Sequence, residues 1–248
     1  MQPAPIVVGG GGRLGNQIIR GLAVSLVAEK HNLRVDYRHK DSISPLGIDL
    51  FSGTETYNRT NPLTDDNYFT IYNRGNLNCN LDPNRNFFQT KKICNLLYNY
   101  LHTDTIKSKI IGTNRFSKRY NANNDLFVHV RLGDIAIKNL HTGIRYYMKT
   151  IKAIDYENLY ISSDSPSHAI IKALIQEYPN ANLVKYDETT TVQFASTCKH
   201  VVLSHGSFSA VIGYLSFFSA VYYPEYEADK MWYGNMFSIN KWVKCSVA

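Results

Sequence analysis

The second half of the chain alternates short apolar runs with amphipathic segments, and this alternation constrains the fold more than any other feature. Apolar runs between turn signals predict buried strands, and apolar residues at helical spacing predict helices. Strands separated by helices pair in parallel, so the pattern indicates a doubly wound α/β sheet. The predicted strands cover residues 126–130, 158–162, 181–184, 200–203 and 220–223, and the predicted helices cover residues 144–151, 166–178, 189–197 and 209–215.

The beginning of the chain shows the same order of elements. Residues 5–8 form a short apolar run, glycines follow, residues 15–30 have helical spacing, and residues 33–37 predict a second strand. Strand, loop, helix and strand are the start of a parallel α/β sheet. Between the two halves the signal is weaker, and we expect loops and short strands over residues 41–86, a helix over 87–101 and a polar linker over 114–124.

Capping residues place the start of two of these helices. Pro166 suits the first helical position because its missing N–H group has no partner there, and Ser163, Asp164 and Ser165 precede it as caps. Asp187 is the expected N-cap of the helix that starts near Thr189.

Composition excludes several classes of protein. The 248 residues suffice for one large domain or two small ones, and no run approaches the roughly 18 apolar residues of a membrane-spanning helix. The four cysteines show no paired spacing, so we expect reduced thiols, a cytoplasmic location and no zinc site, and the first residues show no signal peptide. The net charge of +7 is dispersed, which suits a polyanionic small substrate; no nucleic-acid partner is expected, and the oligomeric state stays open.

A glycine loop (residues 10–15, GGGRLG) follows the first predicted strand and precedes a helix. It satisfies the G-x-G-x-x-G pattern of dinucleotide-binding proteins, and Asp36 on the next strand could bind a ribose hydroxyl. This reading predicts an NAD(P)-dependent oxidoreductase. Arg13 and Asn16 argue against it, because they are larger than the residues that such loops usually carry. A purely structural turn is a further alternative.

A second motif lies at the end of the strand predicted over residues 126–130. Residues alternate in direction along a strand, so His129 and Arg131 point the same way, and Gly133 and Asp134 then turn the chain. An arginine at the carboxyl end of a parallel strand can hold two phosphate oxygens and neutralise a departing diphosphate. The alternative is an Arg131–Asp134 ion pair that only braces the turn.

A third motif, SHGSFS at residues 204–209, connects a predicted strand to a helix. Ser207, Phe208 and Ser209 present N–H groups and hydroxyls that suit an anion at a helix N-terminus, although the serines could equally be caps. The chain contains no D-x-D pair of the kind that holds a diphosphate through a metal, which favours metal-free chemistry. A carboxylate base would assist an acceptor hydroxyl, and the candidates are Asp36, Asp134 and Asp164.

The order and spacing of the three motifs resemble those of the α-1,2-fucosyltransferase family. The motifs are GRLGNQ at residues 12–17, HVRLGD at 129–134 and SFS at 207–209. The α-1,6- and protein O-fucosyltransferases resemble the chain more distantly. The resemblance implies a GT-B-like α/β fold of two facing Rossmann-like lobes with parallel sheets. Residues 1–120 would form the acceptor-side lobe with the glycine loop, and residues 121–248 the lobe that binds the nucleotide sugar.

The resemblance also assigns roles to individual residues. Arg131 would contact the β-phosphate and His129 the guanosine, while Arg13 and Asn16 would face the sugar and diphosphate across the cleft. The implied catalytic residues are Arg131, Asn16 and Asp134, and the implied binding residues are Gly12, Arg13, Gly15, His129, Asp164, Ser207, Phe208 and Ser209.

The activity implied is an inverting, metal-independent glycosyl transfer from GDP-fucose to a glycan hydroxyl, with no other cofactor. One departure from the family is the run Ala210-Val211-Ile212-Gly213, where members often have Trp-Trp-Gly after Ser-Phe-Ser. This change is expected to reshape the pocket wall, so another deoxysugar such as rhamnose is an alternative donor. The remaining alternative is a non-catalytic module that binds a sugar or nucleotide. The chain resembles microbial or viral members more than Golgi ones.

Overall fold

Helices and parallel strands alternate along most of the chain in the computed structural model, which describes residues 4–137, 141–226 and 234–247. The strands are β1 (Ile6–Val8), β2 (Val35–Tyr37), β3 (Thr60–Pro62), β4 (Asn80–Asp82), β5 (Leu126–Val130), β6 (Leu159–Ser163), β7 (Asn182–Leu183), β8 (His200–Val202), β9 (Ala220–Pro224) and β10 (Val243–Cys245). The helices are α1 (Leu14–His31), α2 (Lys40–Ile43), α3 (Tyr68–Tyr72), α4 (Lys91–Leu101), α5 (Asp104–Thr113), α6 (Gly133–Ile137), α7 (Gly143–Lys152), α8 (Ala169–Glu177), α9 (Glu188–Ala195) and α10 (Ser207–Leu215).

A six-stranded parallel sheet in the order β10-β9-β8-β5-β6-β7 organises the second half of the chain. All five residues of β5 are buried, because this strand has neighbours on both edges and helices on both faces. The predicted parallel α/β architecture is therefore confirmed. β10 was not predicted, since this edge strand is short and largely exposed and has no apolar pattern.

The first half contains two smaller parallel pairs, β1 with β2 and β3 with β4. Carboxamide side chains, rather than a backbone ladder, connect these two pairs. The Nδ2 group of Asn80 donates to the Ala4 carbonyl at 3.0 Å, and that of Asn84 donates to the Val7 carbonyl at 2.9 Å. Side-chain links of this kind leave no periodic sequence signal, which explains why the region was predicted only as loops and short strands.

The larger apolar core crosses the boundary proposed at residue 120. Ile18 and Leu22 of α1 belong to the same buried cluster as Val211 and Ile212 of α10. A smaller cluster packs α7 and α8 against the sheet, around residues such as Val128 and Ile161. The apolar core is thus continuous across that boundary, and the division into two facing lobes stays a prediction.

Local helix starts differ in part from the sequence predictions. Asp187 is confirmed as the N-cap of α9, because its carboxylate accepts the Thr190 N–H at 2.8 Å. The prediction for Pro166 is wrong: α8 begins at Ala169, with His168 as its N-cap. The helix expected from residue 87 begins at Lys91, since Phe88 has a φ of 56° that no helix accommodates.

The segment expected to be a polar linker, residues 114–124, is packed instead. Asn114 is buried and donates from Nδ2 to the Gln193 carbonyl at 2.9 Å. Arg119 forms an ion pair of 2.6 Å with the buried carboxylate of Asp125 at the start of β5. Within the described ranges, no helix combines the length and the apolar character that a bilayer crossing requires.

Candidate functional site

A cleft of about 250 Å³ opens at the carboxyl end of the six-stranded sheet. The strand order changes direction at β5, because β6 and β7 follow on one side and β8, β9 and β10 on the other. Open α/β sheets bind ligands in the crevice at such a switch point. The cleft walls combine the strand ends with the glycine loop and consist of Arg13, His129, Arg131, Ser162, Ser163, Asp164, Tyr186, Glu188, Thr191 and Phe208.

Two arginines and two aspartates form an ion-pair network at the mouth of this cleft. Nη2 of Arg131 donates to Oδ1 of Asp134 at 2.7 Å, and Nη2 of Arg13 lies 3.5 Å from the same oxygen. Nη1 of Arg13 is paired with Oδ2 of Asp164 at 3.1 Å. The structure therefore contains the turn-bracing Arg131–Asp134 pair and also brings Arg13 across from the opposite half of the chain.

Arg131, which lines the cleft, keeps one buried donor without a partner. Its side chain is only 12% exposed, and its Nε atom is buried without a hydrogen-bond partner. A buried N–H group without an acceptor costs roughly 1–3 kcal/mol, so an acceptor supplied by a ligand would recover that free energy. Gly206, with a φ of 99°, allows the guanidinium to lie this close to the loop, because a Cβ atom there would stand 3.0 Å from Nη1.

None of the three candidate bases is an unpaired carboxylate that lines this cleft. Desolvation opposes ionisation of Asp134, but the Arg131 hydrogen bond and the charges of Arg131 and Arg13 outweigh it and lower its pKa. Both oxygens of Asp164 are engaged, since Oδ1 accepts the Leu132 N–H at 2.9 Å and Oδ2 pairs with Arg13. Asp36 is an exposed residue of β2 and is not among the residues that line the cleft.

His129 is held neutral at the base of the cleft. Its Nδ1 atom lies 2.6 Å from Oγ of Ser209, and its ring lies against Phe208 with a centroid distance of 5.2 Å. Burial lowers the pKa of His129 to about 4; the nearby Asp164 opposes the decrease and Arg131 adds to it. The imidazole is therefore uncharged at physiological pH.

The burial of His129 predicts a pH dependence of stability. Its pKa is about 4 in the folded protein and about 6.5 in the unfolded chain, so the unfolded state binds a proton first as the pH falls. The free energy of unfolding should then decrease between pH 6.5 and pH 4, by up to about 3 kcal/mol from this group. Denaturant titrations of wild type and His129→Asn over this range measure the effect, because Asn keeps an acceptor facing Ser209.

A shallower pH slope is expected for His129→Asn than for wild type. His102 and His200 also have pKa values lowered by burial and contribute in the same direction, so the difference between the two proteins isolates His129. Equal slopes would show that His129 does not stay neutral in the folded state.

The glycine loop is held by side chains from its own helix and from the loop after β4. Asn84 Oδ1 accepts the N–H groups of Gly9 and Gly10, at 3.1 and 3.3 Å. Buried Arg20 donates to the Gly11 carbonyl at 3.2 Å, and Gln17 donates to the Gly12 carbonyl at 2.9 Å.

Three predicted site residues in this region have structural contacts. Asn16 lies over Gly12, and its Oδ1 accepts a hydrogen bond of 2.7 Å from Gln89. It is not among the residues that line the cleft. Gly12 has a φ of 109°, which favours glycine. Gly15 packs directly on the backbone of Phe208 and Ser207 in α10.

The third motif divides between the cleft and the core. Phe208 lines the cleft, whereas Ser207 is buried beside Gly15. Ser209 is fully buried behind His129 and does not line the cleft, and its role in holding the nucleotide stays a prediction. Its contacts are within the protein rather than on the cleft surface.

The departure at residues 210–213 does not reshape the pocket wall. Ala210, Val211 and Ile212 are buried in the apolar core and do not line the cleft, which contradicts the expectation from sequence. Gly213 packs against Trp242, whose ring would lie 2.5 Å from a Cβ atom at that position. The indole thus occupies the space beside α10.

Sequence reasoning missed three residues of the cleft wall: Tyr186, Glu188 and Thr191. They follow β7 and begin α9, at the same edge of the sheet as Arg131. The rule that ligands bind at the carboxyl ends of parallel strands would have found this segment. Ser163 was considered only as a helix cap, and it lines the cleft together with Ser162 at the end of β6.

No group of three or more His, Cys, Asp or Glu residues is placed to hold a metal ion in the described part of the chain. Asp134 and Asp164, the carboxylates at the cleft, have arginines as partners. The expectation that catalysis needs no metal stays a prediction.

Neither a scan against protein-family models nor a search of curated proteins found a match to this sequence. The fucosyltransferase resemblance therefore depends on the three short motifs alone. Function has to be inferred from the chemistry of the cleft.

Proposed function

We propose that the protein is an inverting, metal-independent glycosyltransferase that transfers a deoxyhexose, L-fucose from GDP-fucose, to a glycan hydroxyl. The observation that carries this proposal is the buried, unpartnered Nε donor of Arg131 in a cleft at the switch point of a parallel sheet. A guanidinium can bind two oxygens of a phosphate in a bidentate arrangement, here through the unpartnered Nε and a second N–H of Nη2, whose first N–H donates to Asp134.

The reaction is a single displacement at the anomeric carbon. The acceptor oxygen forms a bond to C1 while the bond from C1 to the β-phosphate oxygen breaks, and GDP leaves with the electron pair. Arg131 neutralises the charge that develops on the leaving diphosphate. Arg13 can add a second positive charge by exchanging its long 3.5 Å contact with Asp134 for a phosphate oxygen. The acceptor proton passes to solvent, since Asp134 and Asp164 at the cleft are paired with arginines.

The far wall of the cleft suits a guanine nucleotide. Tyr186 and Phe208 offer aromatic surfaces, and Ser162 and Ser163 offer hydroxyls for a ribose. Glu188 adds a carboxylate that accepts two hydrogen bonds side by side. Guanine presents adjacent ring N–H and amino donors, whereas uracil and thymine present a single ring N–H. A GDP-linked donor is therefore favoured over a UDP- or dTDP-linked one.

The glycine loop gives weaker support to the NAD(P)-dependent alternative. The Gly9 and Gly10 N–H groups, which would face a pyrophosphate, already donate to Asn84. Arg13 extends from this loop to Asp164 and lines the cleft beside Arg131. The positive charge of Arg13 and the unpartnered donor of Arg131 thus favour a diphosphate bound at the end of β5 over one bound at the glycine loop.

A thermal-shift panel with GDP, UDP, dTDP and NAD, each with and without EDTA, tests the proposal. A ligand at 100 times its Kd adds about 2.7 kcal/mol of stability, which raises the melting temperature by about 5–10 °C for a chain of this size. We expect GDP to stabilise selectively and EDTA to have no effect. Stabilisation by NAD alone would overturn the proposal, and a preference for UDP or dTDP would exclude GDP-fucose. GDP binding without GDP release from GDP-fucose would indicate a binding module.

Replacing Glu188 with glutamine is predicted to reduce the preference for GDP. The amide offers one acceptor and one donor in place of two acceptors, so one charge-assisted hydrogen bond of about 1.5–3 kcal/mol is lost. The Kd of GDP should rise by roughly 10- to 100-fold while the weaker affinity for UDP changes little. Calorimetric titration measures both values. Glu177→Gln, an exposed position on α8, is the matched control; equal effects of the two substitutions would exclude Glu188 from base recognition.

A further inference from the structure

Ser209 makes two hydrogen bonds in the interior, behind the cleft wall. Its Oγ atom accepts the Ser204 N–H at 3.0 Å and lies 2.6 Å from Nδ1 of His129. The side chain is fully buried, and His129 Nδ1 is the acceptor that the described residues offer to the Ser209 hydroxyl hydrogen. A buried hydroxyl that accepts from one partner donates to the other, so Ser209 donates to Nδ1.

The direction of this hydrogen bond determines the tautomer of His129. In a neutral imidazole one nitrogen accepts and the other carries the hydrogen. With Nδ1 as acceptor, Nε2 carries the hydrogen. Nε2 has no hydrogen-bond partner among the described residues, and the ring lines the cleft on the same strand end as Arg131.

We propose that Ser209 is a positioning residue that fixes His129 as a neutral Nε2–H donor in the cleft, directed at an oxygen of the nucleotide donor. The identity of that ligand rests on the proposed function, whereas the tautomer follows from the contacts of Ser209. A neutral donor complements Arg131, because it adds a hydrogen bond without adding a second desolvated charge at the base of the cleft.

Nitrogen NMR of ¹⁵N-histidine-labelled protein tests the tautomer directly, with His129→Asn assigning the signal. In wild type without ligand we expect Nδ1 at the resonance position of an unprotonated ring nitrogen and Nε2 at that of an N–H nitrogen. Adding GDP should move the Nε2 signal. A hydrogen on Nδ1, or a charged ring at pH 7, would overturn the proposal. An Nε2 signal that stays in place when GDP is bound would also overturn it.

Substitutions at Ser209 provide the second test. Ser209→Ala should raise the Kd of GDP about tenfold and disturb the Nδ1 resonance, and Ser209→Thr, which keeps the hydroxyl, should restore the resonance. The control is Ser216→Ala, which removes another buried hydroxyl, bonded to the Ile212 carbonyl at 2.7 Å and remote from the cleft. It should leave the Kd of GDP unchanged. If wild type binds no GDP, the proposed function fails, while the NMR result on the free protein still decides the role of Ser209.

Discussion

Replacing Arg131 with alanine is expected to reduce the rate of sugar transfer by about three orders of magnitude. The Arg131 side chain lines the cleft and has a buried Nε donor without a partner, and in the proposed reaction its charge neutralises the departing diphosphate. Little of this loss should be due to misfolding, because Arg131 lies at the cleft wall and the adjoining strand β5 is held by its own apolar residues. The rate of GDP release from GDP-fucose in the presence of an acceptor glycan measures the effect.

Lysine at position 131 should restore little of the lost activity. An ammonium group keeps the charge but cannot offer two parallel N–H donors, so the bidentate arrangement is lost. Arg74→Ala removes an exposed arginine far along the chain from both cleft motifs and should retain full activity. Near-normal turnover by Arg131→Lys would remove Arg131 from its proposed role, and an equal loss in Arg74→Ala would indicate a general effect of charge.

The sequence predicted the sheet because its strands are long enough to show a pattern. Strands β5, β6, β8 and β9 each contribute buried apolar residues between helices, so their order along the chain and parallel pairing follow from alternation. The same local rule placed His129 and Arg131 on one side of β5. Strand β10 and the pairs in the first half are short, and carboxamides rather than a backbone ladder join β1 to β4, so periodicity could not reveal them.

The candidate site was harder to predict where residues distant in sequence meet. The Arg13–Asp164 pair joins positions 151 residues apart, and nothing in either motif specifies the other partner. Ser209 belongs to a motif that suggests anion binding, yet its side chain points to His129 in the interior. Single motifs indicated which segments form the cleft, whereas tertiary packing decided which of their side chains face it.

Replacing Gly15 with alanine is predicted to destabilise the protein by about 3 kcal/mol or more. A Cβ atom there would lie 2.4 Å from the Phe208 nitrogen and 2.5 Å from the Ser207 carbonyl carbon. These are backbone atoms of the first turn of α10, which cannot move aside as the end of a side chain can. Helix propensity alone would favour alanine by about 1 kcal/mol. The steric cost is larger than this gain, so the substitution should lower the stability of the protein. The melting temperature should fall by roughly 6–12 °C.

Gly112→Ala is the control, and its expected effect on stability is opposite to that of Gly15→Ala. Gly112 also lies within a helix, α5, but a Cβ atom there would have no neighbour within 4 Å. Its substitution should be neutral or stabilise the protein by up to about 1 kcal/mol. Because α10 carries Phe208 into the cleft, Gly15→Ala should also weaken GDP binding, whereas Gly112→Ala should not. If both variants melt at or above the wild-type temperature, the close contact between α1 and α10 is not what requires glycine, and the glycine loop would then need another explanation, such as direct approach of a ligand to its backbone.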